Sequence, residues 1–404
     1  MAQINKVFLV LFVHKKKSFP YLRNFFLTVL IAASGAFMLA VLLAFAVTRP
    51  TLNSDFMAFW SYPRFAATHP VADIYSAARL QAFQQSLYPG FHSFYPYLYP
   101  PTFLLVTWWL QFCDFATARL LWTLAGLGFF LAAGHAFCRR RLVLLALLVC
   151  PASLLNLVIG QTAYFTTGLL LLGLAALPRR PLLAGIAFGL LTLKPQLGVL
   201  LPVFLLARRE WTAIGAAAVT ALGLVGLSCL AFPPSLWGVW LHAVPAAQAA
   251  YFSSTGLTLT NIITPAANLI TLGLAPGIAW AVQTLYGLTI AALVWLAARH
   301  AGDRHAVAVL LAGMFLAVPH AYAYDSIPLI AAMALCLSAA TPLWQILLGG
   351  VVYAGPLLLL TPARHWFLYA LPETLLFALI IALAFGRSGG ALLSHEPSPV
   401  SDRS

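Results

Sequence analysis

Carboxylates are scarce in this sequence, and their scarcity narrows the search for acid–base chemistry. Only nine aspartates and glutamates occur among 404 residues. Four stand beside basic clusters or in the polar C-terminal tail, which leaves Asp55, Asp73, Asp114, Asp325 and Glu373. Asp55 closely follows the first apolar segment, and a carboxylate at the end of a helix can take a proton from an attacking hydroxyl group. A helix cap or a surface ion pair is the plainer interpretation, and the residue types alone leave both open.

Lys194 is unusual because every other lysine lies in the N-terminal tail, at positions 6, 15, 16 and 17. It occurs in the middle of an apolar hairpin, directly before Pro195. A lysine within a membrane is costly and is usually paired or functional, and its ammonium group suits a phosphate oxygen. The structural alternatives are snorkelling to the surface or pairing with a carboxylate.

His320 and Asp325 occur where a later apolar segment emerges on the same predicted side as Asp55. The histidine can donate a hydrogen bond to a phosphate or carry a proton. Asp325 can orient that histidine or cap the next helix. A structural role for a lone histidine explains the sequence equally well.

Three tyrosines, Tyr95, Tyr97 and Tyr99, precede the dipeptide Pro100-Pro101. Their rings could form a wall on which a sugar stacks. An aromatic belt at the membrane–water interface is the alternative interpretation of the same residues.

The composition excludes a water-soluble protein. Hydrophobic residues make up 62% of the chain and charged residues only 8%, whereas soluble domains contain about a quarter charged residues. At about 20 residues per crossing, the apolar segments predict an all-α polytopic membrane protein with about 10–12 transmembrane helices. We expect one transmembrane domain over residues 1–387, followed by a disordered cytoplasmic tail over residues 388–404.

The net charge of +13 is explained by topology rather than by a nucleic-acid partner. Basic clusters at residues 15–17, 139–141, 179–180 and 208–209 predict a cytoplasmic N-terminus and three cytoplasmic turns, since arginine and lysine favour that side. The same rule predicts a first external loop over residues 48–101, with amphipathic helices at the membrane surface, and a second over residues 233–274.

Two hairpins are expected between the basic clusters. One turns near the sequence Gly160-Gln161-Thr162, and the other turns near Lys194, with arms of about 12 residues that are too short to cross fully. The number of crossings between residues 101 and 139 is left open, because the apolar run that starts at Thr102 is also short.

Four pieces of sequence together resemble glycosyltransferase family 87, a family of membrane enzymes of the GT-C type. Their order and spacing carry the resemblance, which covers residues 53–325. The pieces are Ser54-Asp55-Phe56 with Phe59-Trp60; residues 98–103 (LYPPTF); Gly160-Gln161-Thr162 with Arg179-Arg180-Pro181 and residues 193–196 (LKPQ); and Pro319-His320 with Tyr324-Asp325.

This resemblance implies a GT-C-type bundle that moves a hexose, with mannose as the expected sugar, from a polyprenyl-phosphate donor to a lipid or glycan acceptor. It implies Asp55 as the general base of an inverting reaction, and Lys194 and His320 as ligands of the phosphate, with Arg64 as a third. The predicted substrate site is completed by Tyr99, Gln161, Tyr324 and Asp325. We expect the protein in the cytoplasmic (inner) membrane, with its site at the external or periplasmic face.

No cofactor is expected besides the lipid-linked sugar. No acidic pair is arranged for a divalent ion, and no metal-type spacing links the five cysteines. The main alternative function is a transporter or flippase of lipid-linked sugars, which would also need cations within the membrane. A flippase needs a polar path through the whole bilayer, whereas an enzyme needs a base at one face.

Overall fold

A computed structural model describes residues 28–37, 40, 54–87, 93–254, 262–338, 341–358 and 368–386. The N-terminal basic run and the predicted cytoplasmic tail lie outside these residues. The described α-helices are, in chain order, α1 (Thr28–Phe37), α2 (Phe56–Thr68), α3 (Ala77–Leu87), α4 (Thr102–Thr107), α5 (Phe115–Phe137), α6 (Arg141–Val149), α7 (Pro151–Ile159), α8 (Ala163–Ala176), α9 (Pro181–Leu190), α10 (Leu201–Arg208), α11 (Trp211–Ala231), α12 (Ser235–Ser254), α13 (Pro265–Thr271), α14 (Pro276–His300), α15 (Asp303–Ala317), α16 (Ile327–Cys336), α17 (Leu343–Leu358) and α18 (Ala370–Phe385).

The prediction of an all-α polytopic membrane protein is confirmed. Among the described residues, α5, α11 and α14 are each long and apolar enough to cross a bilayer, and the bent pair α6–α7 can form a fourth span. Leu222 and Leu230 of α11 are 70% and 86% exposed. Large apolar side chains exposed along a helix of this length suit contact with the lipid of a bilayer. The count of about 10–12 crossings stays a prediction, because the remaining apolar helices are shorter.

The chain between residues 101 and 139 contains one long span. A short helix, α4, continues as a 3-10 turn over Trp108–Phe112, and α5 follows as a single helix of 23 residues. Asp114 caps α5, because its side chain accepts hydrogen bonds from the backbone N–H groups of Ala116 and Thr117 at 3.0 and 3.1 Å. At 1.5 Å per residue α5 is about 34 Å long, which is enough to cross the hydrocarbon core.

The predicted first external loop contains α2 and α3, and α2 is part of a packed aromatic layer. The first eight residues of α2, from Phe56 to Pro63, are all buried. Phe59 packs edge-on against Tyr99 and Phe103, with ring centroids 5.8 and 5.4 Å apart, and also contacts Trp122 of α5. The first two turns of α2 are therefore covered by protein, whereas α3 buries Leu80 and Gln84 and exposes most of its other residues, as an amphipathic helix does.

The helix breaks expected at both predicted hairpin turns are present. Helices α6 and α7 bend by 49° at their junction, α7 ends at Gly160 in the left-handed conformation, and α8 returns from Ala163. Helix α9 ends in a 3-10 turn over Leu191–Leu193, and a second such turn over Pro195–Gly198 leads towards α10. Lys194 lies between these two turns, so the break in the helix places it at the tip of the hairpin.

Glycines hold the arm of this hairpin close to α11. A Cβ atom at Gly185 would clash with the carbonyl oxygen of Ala213, and one at Gly189 would lie 2.6 Å from Cβ of Thr220. Small residues four positions apart allow helix backbones to approach closely within a membrane. The contact anchors the short arm α9 on a full-length span and thereby fixes the position of Lys194.

The second predicted external loop is largely helical, because it contains α12 and α13. After α13 come α14, which is long and apolar enough to cross a bilayer, and α15, which leads to the segment that carries His320. An isolated β-bridge pairs Ile262 with Tyr322, and the Ile263 N–H donates to the carbonyl of Ala321 at 3.0 Å. The loop before α13 therefore helps to fix the backbone beside His320.

Candidate active site

A cavity of about 610 Å³ opens where the ends of several helices meet the aromatic layer. Residues far apart in the sequence line it. The lining side chains that carry polar or aromatic groups are Asp55, Phe59, Tyr62, Phe94, Tyr95, Tyr99, Gln161, Lys194, Gln196, Trp240, His320, Tyr322 and Tyr324. The site residues expected from the sequence are thus brought together, with the exceptions of Asp325, which lies behind Lys194, and Arg64.

Asp55 occupies the N-cap position of α2, but its side chain makes no capping hydrogen bond. Its Oδ2 atom instead accepts a hydrogen bond from Nε2 of Gln161 at 2.8 Å. Burial raises the pKa of the Asp55 carboxyl, while the hydrogen bond from Gln161 and the positive charge of Lys194 lower it. The carboxylate lines the cavity and accepts a hydrogen bond from Gln161 instead of capping α2.

Gly160 positions Gln161 for this contact. Its φ of +74° lies in the left-handed region, which glycine adopts without a steric penalty. A Cβ atom at this position would also lie 2.6 Å from Cβ of Phe56, the residue that follows Asp55. The turn after α7 and the start of α2 are therefore in direct contact only because residue 160 has no side chain.

Gly160→Ala is expected to lower the free energy of unfolding by about 1–3 kcal/mol, since it adds a strained backbone to a steric clash. Thermal unfolding of the purified protein in detergent measures this effect. Gly215→Ala is the matched control: Gly215 lies inside α11, and nothing lies within 4 Å of its added Cβ. The control should be neutral or slightly stabilising. Equal melting temperatures for the two variants would contradict the tight contact at Gly160.

Lys194 is paired with a carboxylate. Its Nζ atom donates to Oδ1 and Oδ2 of Asp325 at 2.6 and 2.9 Å, and both side chains are buried. The same ammonium group lies 5.0 Å from the centroid of the Tyr324 ring and lines the cavity. The ion pair stabilises a cation within the protein, and the cavity gives that cation access to a ligand.

Asp325 also caps the turn that follows His320. Its Oδ2 atom accepts a hydrogen bond from the Tyr322 N–H at 3.5 Å, at the start of the 3-10 turn Ala323–Ser326. Of the two roles considered for Asp325, the structure therefore shows the cap, and its carboxylate is committed to Lys194 rather than to His320.

His320 lines the cavity with its ring edge-on to Tyr322, at a centroid distance of 4.8 Å. Burial and the nearby charge of Lys194 lower the pKa of its imidazole to about 4. The ring is therefore neutral at pH 7, and at this pH it can donate one N–H hydrogen bond to a ligand but adds no positive charge.

Aromatic rings form much of the cavity wall. Tyr99 stacks on Phe103 with centroids 3.9 Å apart, and its backbone carbonyl accepts a hydrogen bond from the Tyr75 hydroxyl at 3.0 Å. Trp240 of α12 also lines the cavity, and its Nε1 atom donates to the carbonyl of Leu98 at 3.4 Å. Rigid aromatic faces of this kind suit stacking against the apolar face of a sugar ring.

Arg64 lies outside the cavity lining. Its guanidinium donates to the carbonyls of Trp60 and Leu110 at 2.9 Å and of Cys113 at 2.5 Å, and it stacks 3.7 Å above the Trp60 ring. These contacts fasten α2 to the 3-10 turn that follows α4. The placement does not support the predicted role of Arg64 as a phosphate ligand.

Trp240 and Gln196 are site residues that the sequence does not predict. Gln196 lies two residues after Lys194, so its position in the same hairpin turn is a signal that the sequence contains. Trp240 belongs to the predicted second external loop, which is separated from Tyr99 by more than a hundred residues. Only the three-dimensional structure brings its ring to the cavity.

A second cavity, of about 690 Å³, lies between α1, α6, α16, α17 and α18. The described residues that line it are almost wholly apolar, and none of them is a carboxylate, lysine, arginine or histidine. Within the described residues, no group of three or more His, Cys, Asp or Glu side chains is arranged to hold a metal ion.

The sequence matches the family model of glycosyltransferase family 87 over residues 97–319, which is more than half of the chain. No curated protein and no solved structure matches the chain. The matched range includes Tyr99, Gln161 and Lys194, whereas Asp55 precedes it and His320 follows it. Their place in the site rests on the geometry of the cavity.

Proposed function

The chain belongs to glycosyltransferase family 87, and we propose that it moves a hexose from a polyprenyl-phosphate sugar to a lipid or glycan acceptor. Mannose is the proposed sugar. One observation carries the proposal: a carboxylate, Asp55, and a buried cation, Lys194, line the same cavity with aromatic walls. A base for an acceptor hydroxyl and a positive charge for a leaving phosphate are the two groups that such a transfer needs.

In the proposed reaction, Asp55 takes the proton of the acceptor hydroxyl as its oxygen attacks the anomeric carbon. The bond between that carbon and the phosphate oxygen breaks, and the lipid phosphate leaves with the electron pair. Attack from the face opposite the phosphate inverts the anomeric centre, so a β-linked donor gives an α-linked product. Because the phosphate is already a good leaving group, the protein acts mainly by positioning and charge stabilisation.

Lys194 and His320 are the proposed ligands of the phosphate. The ammonium group of Lys194 supplies charge, and the neutral His320 ring supplies a hydrogen bond. Tyr99, Trp240 and Tyr324 form the proposed sugar-binding wall. Gln161 holds the Asp55 carboxylate through the bond at 2.8 Å and leaves the second carboxylate oxygen for the acceptor.

We place the reaction at the external or periplasmic face of the cytoplasmic (inner) membrane, with the N-terminus in the cytoplasm. The arginine clusters at residues 139–141 and 179–180 stand at the starts of α6 and α9, and the positive-inside tendency assigns those ends to the cytoplasm. The cavity is lined from the opposite ends, through Ile159 at the end of α7 and Lys194 beyond the end of α9.

The proposal is tested by incubating purified protein with a panel of polyprenyl-phosphate sugars and membrane lipid extract, followed by mass analysis. We expect one hexose to be added to a lipid or glycan acceptor, with polyprenyl-phosphate mannose as the most active donor. Transfer only from nucleotide sugars would overturn the proposed donor. Movement of labelled donor across vesicle membranes without any transfer product would instead support the flippase alternative.

Transfer is expected to continue at an unchanged rate after treatment with a chelator of divalent ions. The reason is that the two carboxylates at the cavity are already hydrogen-bonded to other side chains: Asp55 to Gln161, and Asp325 to Lys194. The measurement compares initial rates before and after chelation and after Mg²⁺ or Mn²⁺ is added back. A loss of activity that the added ion restores would contradict this prediction.

A further inference from the structure

Arg119 is a charged residue inside the long apolar helix α5. The sequence of α5 contains no other lysine, arginine, aspartate or glutamate, and only 7% of the Arg119 surface is exposed. An ionisable group within a membrane span is expensive to bury and usually has a function. Arg119 does not line the cavity, so its contacts decide what that function is.

The guanidinium of Arg119 joins two segments of the site. Its Nη1 atom donates to Oγ of Ser54 at 2.7 Å, and its Nη2 atom donates to the backbone carbonyl of Val158. Ser54 directly precedes Asp55, and Val158 is three residues before Gln161. The two Nη atoms of one side chain thus hold both the segment that carries the proposed base, Asp55, and the segment that carries its hydrogen-bond partner, Gln161.

We propose that Arg119 is a positioning residue for sugar transfer, which bridges Ser54 to Val158 and thereby maintains the hydrogen bond between Gln161 and Asp55. This inference rests on the proposed function of the same site. Asp55 and Gln161 are 106 residues apart in the sequence, and the bond between them requires two independent segments to keep a fixed separation.

The planar fork of arginine suits this task better than lysine does. A guanidinium presents several N–H donors in a rigid geometry, whereas a lysine ammonium is a point donor on a flexible stem. Arg119→Lys keeps the positive charge in α5 but cannot hold both acceptors with the same geometry. The substitution therefore separates the bridging role of Arg119 from a purely electrostatic role.

The pH dependence of transfer reports on the bridge. Several groups face Asp55. Gln161 approaches it from the turn after α7 and Lys194 from the tip of the α9–α10 hairpin, and the rings of Tyr99 and Tyr324 approach it from two further segments. The Gln161 bond lowers the pKa of Asp55. If the bond weakens, that pKa rises, so the base becomes protonated at a higher pH and the acidic limb of the profile moves upward.

The experiment measures kcat, the donor KM and the pH profile of kcat/KM for Arg119→Lys and Ser54→Ala. For Arg119→Lys we expect kcat to fall roughly 10- to 100-fold, which is the scale of a small misplacement in an active site, with donor KM unchanged. The acidic limb should move to higher pH. Ser54→Ala removes one acceptor of the bridge and should give the same changes to a smaller extent, even if Arg119→Lys fails to fold.

Gln161→Leu supplies the decisive comparison. In this variant the bond to Asp55 is already absent, so the additional substitution Arg119→Lys should shift the pH profile no further. Arg64→Lys is the matched control, because Arg64 also bonds backbone carbonyls beside α2 but lies outside the cavity. It should lower the melting temperature without moving the profile.

An unshifted acidic limb in both Arg119→Lys and Ser54→Ala would overturn the inference, as would additive shifts in the double variant with Gln161→Leu. Failure of the proposed function looks different: the wild-type protein would then transfer no sugar from any polyprenyl-phosphate donor, whatever residue occupies position 119.

Discussion

Asp55→Asn is expected to lower the turnover of sugar transfer by about 10²- to 10⁴-fold, which is the usual contribution of a general base. The amide has the shape of the carboxylate and can still accept the hydrogen bond from Gln161, but it cannot take a proton from the acceptor. Donor affinity should change little, because Lys194 and His320 are untouched. Steady-state rates and donor binding to the purified variant measure the two effects separately.

Asp73→Asn is the matched control for this experiment. Asp73 lies in the same predicted external loop, but its carboxylate pairs with Arg79 at the surface, and exposed ion pairs contribute little to stability. The Asp73→Asn variant should transfer sugar at the rate of the wild-type protein. Full transfer activity in Asp55→Asn would rule out Asp55 as the general base. A folding defect in that variant would show as a lowered melting temperature.

Lys194→Met is expected to affect both the donor and the fold. A hydrogen bond to a charged group contributes about 1.5–3 kcal/mol, so the dissociation constant of the lipid-phosphate donor should rise roughly 10- to 100-fold. The substitution also leaves Asp325 buried without its partner, and breaking one side of a buried ion pair costs about 3–5 kcal/mol. Donor titration and thermal unfolding measure the two consequences.

The double variant Lys194→Met/Asp325→Asn separates these consequences. The asparagine removes the unpaired charge and keeps an oxygen for the Tyr322 N–H, so most of the lost stability should return. Donor affinity should stay low, because the cation is still missing. Recovery of both stability and donor affinity in the double variant would return Lys194 to a purely structural role.

The sequence alone predicts those parts of the site that depend on local signals. The turn at Gly160 follows from glycine between two apolar runs, and the break at Lys194 follows from a short apolar hairpin with Pro195 at its tip. The scarcity of lysine and of carboxylates is enough to direct attention to Lys194 and Asp55. Each of these signals depends on one residue and its neighbours in the chain, so a single sequence is enough to detect it.

Contacts between segments that are distant in the chain cannot be predicted from this single sequence. The partner of Lys194 is Asp325, 131 residues away, and the tertiary structure brings these two segments together. Arg64 illustrates the opposite case, because its charge indicated a phosphate ligand whereas its side chain bonds backbone carbonyls. Arg119 carried a signal, as the lone charge in α5, but its acceptors Ser54 and Val158 are set by tertiary structure.

The most direct test of the central claim is a cryo-EM structure with a non-transferable phosphonate analogue of a polyprenyl-phosphate sugar. We expect the phosphonate within hydrogen-bond distance of Lys194 Nζ, the sugar against Tyr99 and Trp240, and the anomeric carbon facing Asp55. Density for the phosphonate and sugar in the second cavity, or with the anomeric carbon turned away from Asp55, would contradict it.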